Sequence, residues 1–104
     1  PVAVSPAAGL LAPMTGASVL FGYALPQPDG TYLGEMPHVI PAAEVAALDR
    51  ADAAQDITRR VTKFYEEAIR ARPEGWLWSY KRWRHIPAGM SPEGFPSYAN
   101  PPGD

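Results

Sequence analysis

The strongest constraint on the fold is a helical repeat of apolar side chains that runs to about Arg72. These side chains fall at i, i+4, i+7, i+8, i+11 and i+12, which is one face of an α-helix. They are Ile57, Val61, Phe64, Tyr65, Ala68 and Ile69, and the charged residues between them lie mostly on other faces. Asp52 or Asp56 is suited to cap the helix, and Pro73 follows its end. The pattern predicts one long amphipathic helix that buries a single face.

A β-hairpin is predicted before that helix. Residues 19–25 are continuously apolar, which is typical of a strand buried on both faces of a sheet. Residues 26–30 (Pro-Gln-Pro-Asp-Gly) favour a turn, because proline presets φ, Asp bonds nearby backbone and Gly accepts a positive φ. Residues 31–36 then return as the second strand, and Pro37 marks its end or an edge position.

A short helix is predicted near the start of the chain, over residues 5–15. Ser5 suits the N-cap and Pro6 suits the first helical position. Gly16 is a suitable stop, although Pro13 favours an earlier end or a kink.

The remaining segments are predicted from weaker patterns. Residues 41–54 are Ala-rich and are interpreted as a connection with a single helical turn. A second C-terminal helix is predicted from residue 74 to about residue 84, because three aromatic residues recur there at i, i+4 and i+7. They are Trp76, Tyr80 and Trp83. After Ile86 the chain is rich in Pro, Gly and Ser and is predicted to be irregular.

Composition excludes several classes of protein. The chain has 104 residues, of which 46% are apolar, so it is one modest domain or a piece of one. It has no Cys, which excludes a disulfide scaffold, a Cys-ligated zinc site and a thiol nucleophile. No apolar run approaches the roughly 18–20 residues of a membrane span, and none resembles a signal peptide.

Charge is distributed unevenly along the chain. Eight of the nine basic residues lie between Arg59 and Arg84, where only three acidic residues oppose them. This stretch therefore carries +5 although the whole chain carries −2. Such a segment could face phosphate, an anionic membrane or an acidic partner, or it could simply solvate the outer faces of helices.

The sequence alone contains no convincing catalytic or metal site. Its two histidines, His38 and His85, have no carboxylate at a useful spacing and are interpreted as surface or structural residues. There is no Gly-x-Ser-x-Gly elbow and no glycine-rich phosphate loop. The aromatic-basic residues 76–84 are open to three interpretations: core packing, a membrane interface, or nucleic-acid stacking. The acidic overall charge and the absence of a nucleic-acid motif argue against the third.

Several short motifs together resemble a known family. Residues 73–78 read Pro-Glu-Gly-Trp-Leu-Trp, and residues 81–84 read Lys-Arg-Trp-Arg. Upstream, residues 14–19 contain Thr-Gly-Ala before an apolar strand, and residues 28–30 are a Pro-Asp-Gly turn. In this order the chain resembles the C-terminal region of the lipid A biosynthesis (lauroyl/myristoyl) acyltransferases, which belong to the lysophospholipid acyltransferase superfamily. The similarity spans most of residues 5–96.

This resemblance implies the fold class and the domain organisation. The fold class would be α/β: the C-terminal part of an acyltransferase domain, with a β-hairpin, an N-terminal short helix and two C-terminal helices. Residues 1–87 would belong to that domain, whose catalytic half is missing here, and residues 88–104 would form an irregular Pro/Gly-rich tail. Pro13, Pro26 and Gln27 depart from the family pattern, in which basic residues are expected around such positions.

The resemblance also implies an activity. Members transfer a fatty acyl group from acyl carrier protein to a hydroxyl of a lipid A-type glycolipid, at the cytoplasmic side of the inner membrane and with no metal or cofactor. Their His-x-x-x-x-Asp/Glu motif supplies a general base and the acid that orients it. The fifth residues after His38 and His85 are Ala43 and Met90, so the motif is absent from these 104 residues. The chain alone is therefore expected to be inactive.

Two groups of residues are singled out by the resemblance. Contacts with the glycolipid phosphates or with the carrier protein are assigned to Lys81, Arg82 and Arg84. A structural role is assigned to Pro73, Trp76, Trp78 and Trp83. One alternative is an acyltransferase that acts on another glycolipid or on a lysophospholipid. Another is a non-catalytic module that docks on an anionic membrane or a protein through a basic-aromatic helix at residues 74–84.

Overall fold

The computed structural model describes residues 4–100. They fall into two compact units: residues 5–75, and residues 76–100 together with Val4. The regular elements are helix α1 (Ala7–Thr15), strands β1 (Val19–Pro26) and β2 (Tyr32–Ile40), helices α2 (Ala42–Ala47) and α3 (Arg50–Ala71), and a short 3₁₀ helix (Pro73–Gly75). The predicted mixed α/β class, with a helix, a hairpin and further helices, is confirmed.

Helix α1 begins one residue later than predicted and passes through its proline. Its N-cap residue is Pro6, while the Ser5 hydroxyl accepts a hydrogen bond of 3.4 Å from the Ala7 amide. Beyond Pro13 the last turn is held by the Thr15 hydroxyl, which donates to the Leu11 carbonyl at 2.8 Å. Gly16 ends the helix as expected, with a φ of 69°.

A close approach of two backbones joins α1 to α3. Gly9 is buried, and a Cβ atom placed on it would lie 2.5 Å from the Ala54 carbonyl oxygen and 2.6 Å from the Ala54 Cα. Only a residue without a side chain permits this distance. The small residue on each helix therefore sets how closely α1 packs on α3.

The hairpin contains a β-bulge that the sequence did not reveal. Phe21 pairs with His38 and Tyr23 pairs with Glu35, so two β2 residues, Met36 and Pro37, lie opposite Gly22. At a bulge, one residue makes no ladder hydrogen bond, so a proline, which has no backbone N–H, is tolerated there. Strand β2 therefore continues through Pro37 to Ile40. Of the two alternatives expected for Pro37, the end of the strand is wrong, whereas an edge position is confirmed, because β2 has one neighbouring strand among the described residues.

The turn of the hairpin forms at the predicted residues. The Gln27 amide donates to the Thr31 carbonyl at 2.7 Å, and Gly30 takes a φ of 84°. The Asp29 carboxylate accepts from the Thr31 hydroxyl at 2.6 Å and from its amide at 3.0 Å. These hydrogen bonds lower the pKa of Asp29.

Strand β1 is buried on one face only, which corrects the prediction of burial on both. Within the described residues the sheet has two strands, and its inner face carries the buried Phe21 and Ile40. The outer face is apolar but exposed, with Leu20 and Val39 directly opposite each other. The continuous apolar run of residues 19–25 thus places apolar side chains on the outer face of the hairpin as well, and no other element of residues 5–75 covers that face.

The core of this unit lies between the hairpin and the helices. Its buried members are Ala12, Phe21, Ile40, Val45 and Ile57. The largest fully buried side chains are Ile40, Val45 and Ile57. They come from β2, α2 and α3, so the short helix α2 belongs to the core rather than to a loose connection.

Helix α3 is longer than predicted because it begins earlier. Its N-cap is Asp49, whose carboxylate accepts from the Ala51 amide at 3.1 Å. Neither Asp52 nor Asp56 caps it, since both lie inside the helix. The predicted end near Arg72 is confirmed, because Arg72 is the C-cap.

The predicted helix over residues 74–84 is wrong. Pro73–Gly75 form a single 3₁₀ turn, and the chain then continues through turns without helical hydrogen bonding. The aromatic side chains of this stretch are largely exposed, so burial of a helical face does not offset the cost of forming a helix, and isolated turn bonds satisfy part of the backbone instead. One of them joins the Tyr80 amide to the Leu77 carbonyl at 3.1 Å.

Residues 76–100 are held together by one long-range bridge. His85 pairs with Asn100: the Ile86 amide donates to the Asn100 carbonyl at 2.9 Å, and the Asn100 amide donates to the Arg84 carbonyl at 2.8 Å. Between the two ends the chain forms successive turns at Met90, Phe95 and Ala99. The last four residues of the expected tail, 101–104, lie outside the described residues.

Gly9→Ala tests the close contact between α1 and α3. Alanine is the better helix former by up to about 1 kcal/mol, so this substitution would stabilise the helix if the site had room for a methyl group. Because the added methyl would meet the Ala54 backbone, we expect instead a loss of about 1–3 kcal/mol. Urea denaturation measures it, with Gly75→Ala as the control, since Gly75 faces open space. Equal stability of the two variants would contradict the close contact.

Paired substitutions on the hairpin test its exposed face. We expect the chain to bind a dye that reports apolar surface, and Leu20→Thr/Val39→Thr to weaken that binding with a stability change within about 0.5 kcal/mol. The matched variant Val19→Thr/Ile40→Thr changes the adjacent cross-strand pair, whose side chains lie on the inner face of the sheet. It should lower the free energy of unfolding by at least about 1 kcal/mol. Dye binding that is unchanged by the outer pair would show that the apolar surface lies elsewhere.

Candidate functional site

A groove lies between the hairpin and α3 in residues 5–75. Its volume is about 560 Å³. The hairpin contributes Tyr23, Pro37 and His38, and α3 contributes Arg60, Lys63, Phe64, Glu67, Ala68 and Ala71. The β-bulge at Pro37 shapes the hairpin side, and one face of α3 forms the other.

Aromatic contacts form the floor of this groove. Phe64 packs edge-on against Phe21, with ring centroids 5.3 Å apart, and stacks on Tyr23 at 5.9 Å. The ring of His38 lies 5.0 Å from that of Phe21. Such pairs add to the stabilisation from burial alone. His38 is therefore placed by aromatic packing, consistent with the structural role expected for it.

An ion-pair cluster lies at one end of the groove. Arg60 of α3 binds the Glu44 carboxylate of α2, and its Nε lies 2.9 Å from an Asp56 carboxylate oxygen. The hydrogen bond that the Arg60 guanidinium donates to Glu44, reinforced by the nearby Asp56 carboxylate, raises the pKa of Arg60. Two acids oppose this one cation, so Arg60 fastens α2 to α3 rather than offering a positive charge to a ligand.

Tyr23 is a second groove residue whose pKa is shifted. The Glu35 carboxylate, opposite it across the hairpin, raises the pKa of the Tyr23 hydroxyl, because it accepts a hydrogen bond from the neutral phenol and repels the phenolate. The phenol therefore stays protonated. A protonated phenol next to a carboxylate can bind polar groups, but it is not an activated nucleophile.

The groove has no metal-binding set. Over residues 4–100, no group of three or more His, Cys, Asp or Glu side chains could hold a metal ion. Lys63 lies 3.8 Å from Glu67, so this cation of the groove is paired with a carboxylate of the same helix. The arrangement stabilises the packing of the hairpin on α3, and it does not assemble a nucleophile, a base and an orienting acid.

The site residues predicted near the end of the chain lie in two different units. Pro73 starts the 3₁₀ turn that follows α3. The three tryptophans and the three basic residues lie within residues 76–84. Arg82 lies over the ring of Trp76 at 5.9 Å from its centroid, and Lys81 lies over the ring of Tyr98 at 5.7 Å. These are cation–π distances.

The other predicted residues of this segment are also at the surface. Arg84 accepts the backbone hydrogen bond from Asn100, and its side chain is exposed. Trp78 and Trp83 are exposed, whereas Trp76 is half-buried. The segment is thus a surface rather than the buried aromatic stripe that a helix would have produced.

A comparison with protein families identifies the chain. Residues 2–85 match the model of the bacterial lipid A biosynthesis acyltransferases. The chain belongs to this family. Searches among curated proteins and among solved structures gave no significant match.

Family membership establishes a general activity and setting. Members of this acyltransferase family act in lipid A biosynthesis, where an acyl donor and a lipid acceptor are the substrates, and they are membrane-associated. Among residues 4–100 of the acyltransferase chain, none of the helices is both long and apolar enough to span a bilayer.

Sequence reasoning missed the ion-pair cluster of this acyltransferase chain. The Asp56 to Arg60 spacing is i, i+4, which is a recognisable helical pair. Glu44 is 16 residues from Arg60 in the sequence, and nothing local predicted that α2 would bring it into contact. The groove was missed for the same reason, since it requires the hairpin and α3 to be placed together.

Arg60→Gln tests whether the ion-pair cluster fastens α2 to α3. The pair is about one-third exposed, with 35% of the Arg60 side chain accessible, so solvent screening limits its contribution. We expect a loss of about 0.5–1 kcal/mol in chemical denaturation at low salt, and a smaller loss at high salt. Arg70→Gln, which removes an exposed i, i+4 pair with Glu66, is the control and should cost no more than about 0.5 kcal/mol. Equal losses would contradict a bridging role for Arg60.

Proposed function

We propose that this chain is the C-terminal part of a membrane-associated acyltransferase that transfers a fatty acyl group from acyl carrier protein to a hydroxyl of a lipid A-type glycolipid. The observation that carries the proposal is the family match over residues 2–85. The Trp-rich motif at residues 73–84 and the Pro-Asp-Gly turn of the hairpin agree with it.

In this proposal the chemistry comes from residues outside these 104. The family motif His-x-x-x-x-Asp/Glu does not occur here, because Ala43 and Met90 stand where the acid would follow His38 and His85. A histidine of that motif would take the proton of the acceptor hydroxyl as it attacks the thioester carbonyl, and the acid would orient the ring. The 104-residue chain by itself would then be inactive.

The part of the enzyme described here would act as a scaffold. The exposed, uncharged outer face of the hairpin, with Leu20 and Val39, supports this proposal. An isolated two-stranded sheet is marginally stable, and an apolar face of this kind is normally covered by a further layer. We propose that the catalytic half of the domain supplies that layer.

The proposal also assigns a place and a contact to the enzyme. The site of action would be the cytoplasmic side of the inner membrane. The contact would be made by Lys81, Arg82 and Arg84, which meet either the phosphates of the glycolipid or the acidic carrier protein. Their surface position supports it, since all three lie within a segment that has no acidic residue.

One observation favours a second candidate, a non-catalytic docking module. The aromatic residues Trp78 and Tyr80 lie exposed beside cations. The segment that would dock consists of turns and not of the expected helix at residues 74–84. Membership of an enzyme family favours the acyltransferase.

An acyl-transfer assay on the complete gene product tests the proposal. We expect transfer from acyl-carrier-protein thioester to a lipid A precursor, and a loss of at least about 100-fold when the histidine of its His-x-x-x-x-Asp/Glu motif becomes alanine. The 104-residue chain should show no transfer above background. A folded full-length protein with no activity, or an active 104-residue chain, would overturn the proposal.

A control separates chemistry from folding in that assay. Gly75→Ala lies in open space within this chain and should leave transfer within about twofold. If this variant lost activity as completely as the histidine variant, the histidine result would not report chemistry.

A further inference from the structure

Large apolar and aromatic side chains are exposed along residues 76–84, which we call the aromatic-basic segment. Their exposed fractions are 67% for Leu77, 66% for Trp78, 64% for Tyr80 and 42% for Trp83. Single exposed apolar residues are common, but a run of them on a surface marks a site of contact. Four such residues within seven positions therefore form an exposed apolar surface that favours contact with an apolar environment.

The charge of this segment has one sign. Lys81, Arg82 and Arg84 lie within it, and there is no acidic residue between Glu74 and Glu93. The two cation–π contacts do not change this, because an aromatic ring attracts a cation but carries no net charge. The surface therefore keeps +3 in a chain whose net charge is −2.

The segment is turned by a hydrogen bond within it and is anchored by contacts directly after it. The Arg82 amide donates to the Tyr80 carbonyl at 2.8 Å, which turns the chain within the exposed run. Directly after it, Ile86 is buried and takes part in the bridge to Asn100. Exposure of the aromatic residues is thus a feature of an anchored segment.

We propose that the aromatic-basic segment docks on the interface of an anionic lipid bilayer. Leu77, Trp78 and Tyr80 enter the headgroup region, and the three cations contact lipid phosphates. Trp and Tyr rings favour this zone, because one part of each ring is apolar and another can hydrogen-bond. Charge complementarity selects an anionic surface, since each Lys or Arg near such a membrane adds to the attraction.

A bilayer fits these observations better than an acidic protein does. Cations alone would suffice to bind acidic side chains, whereas the exposed Leu77 and Trp78 gain from leaving water. The docking proposal does not depend on the acyl donor or the acceptor of the proposed function, and it concerns the surface on which the chain rests.

Vesicle sedimentation with the 104-residue chain tests the proposal. We expect binding to phosphatidylcholine vesicles that contain phosphatidylglycerol, weaker binding to phosphatidylcholine alone, and a decline as salt screens the charges. Lys81→Gln/Arg82→Gln/Arg84→Gln should bind about 10- to 100-fold more weakly.

Two matched variants show whether position matters rather than net charge. The first is Arg50→Gln/Arg59→Gln/Arg72→Gln, which removes three exposed cations, two within α3 and one at its C-cap. It makes the net charge of the chain more negative by three units, as the triple variant of the aromatic-basic segment does. It should bind within about threefold of the parent chain. Lys81→Arg/Arg82→Lys/Arg84→Lys keeps the charges and should also retain binding, which separates charge loss from unfolding.

Tryptophan fluorescence reports whether the aromatic residues enter the interface. In Trp76→Phe/Trp83→Phe the single remaining indole is Trp78. We expect its emission to shift to the blue with anionic vesicles and to stay unchanged with neutral ones at the same lipid concentration. Leu77→Ser/Trp78→Ser should weaken sedimentation by at least about fivefold.

Four results would overturn the proposal. The first is no sedimentation of the parent chain with anionic vesicles at low salt, and the second is an equal loss of vesicle binding in the two charge-removing variants. The third is an unchanged Trp78 emission while the chain sediments with the vesicles. The fourth is binding to acyl carrier protein without binding to vesicles. Acyl transfer is not measured in any of these experiments, so their failure is distinguishable from failure of the proposed function.

Discussion

The structure of residues 5–75 depends on one constraint, the close packing of helix α3 against two different partners. On one side, α3 approaches α1 so tightly that only Gly9 fits against Ala54. On the other, Phe64 packs on the aromatic residues of the hairpin. Between them, Ile57 is fully buried. Because α3 carries all three contacts, the positions of the hairpin and of the groove follow from it.

Charge and apolar surface are used differently in the two units. In residues 5–75, Arg60 is neutralised by two carboxylates and serves to join helices. In residues 76–100, Lys81 and Arg82 rest on aromatic rings, which hold the cations without cancelling their charge. The first arrangement stabilises a fold, and the second maintains a positive surface. This difference is why we propose the aromatic-basic segment, and not the groove, as the surface that meets an anionic bilayer.

The described residues of this acyltransferase-family chain do not assemble a catalytic set in the groove. The groove contains a tyrosine kept protonated by Glu35 and a histidine packed on Phe21, which are not arranged as a base and an orienting acid. The uncharged outer face of the hairpin is the feature that fits a larger domain, because exposed apolar sheet faces are normally covered. The scaffold and the chemistry are therefore proposed to come from different parts of the sequence.

The sequence by itself determined the features that depend on neighbouring residues: the long helix up to Arg72, the turn at Asp29 and Gly30, and the stop of α1 at Gly16. Period, turn chemistry and positive φ act within a few residues, so they can be predicted locally. Only the tertiary structure decided the Glu44 contact of Arg60, the bulge that lets β2 pass Pro37, and the turns that replace the helix over residues 74–84. These depend on which elements pack together, and helical spacing of aromatic residues makes a helix only where another surface covers that face.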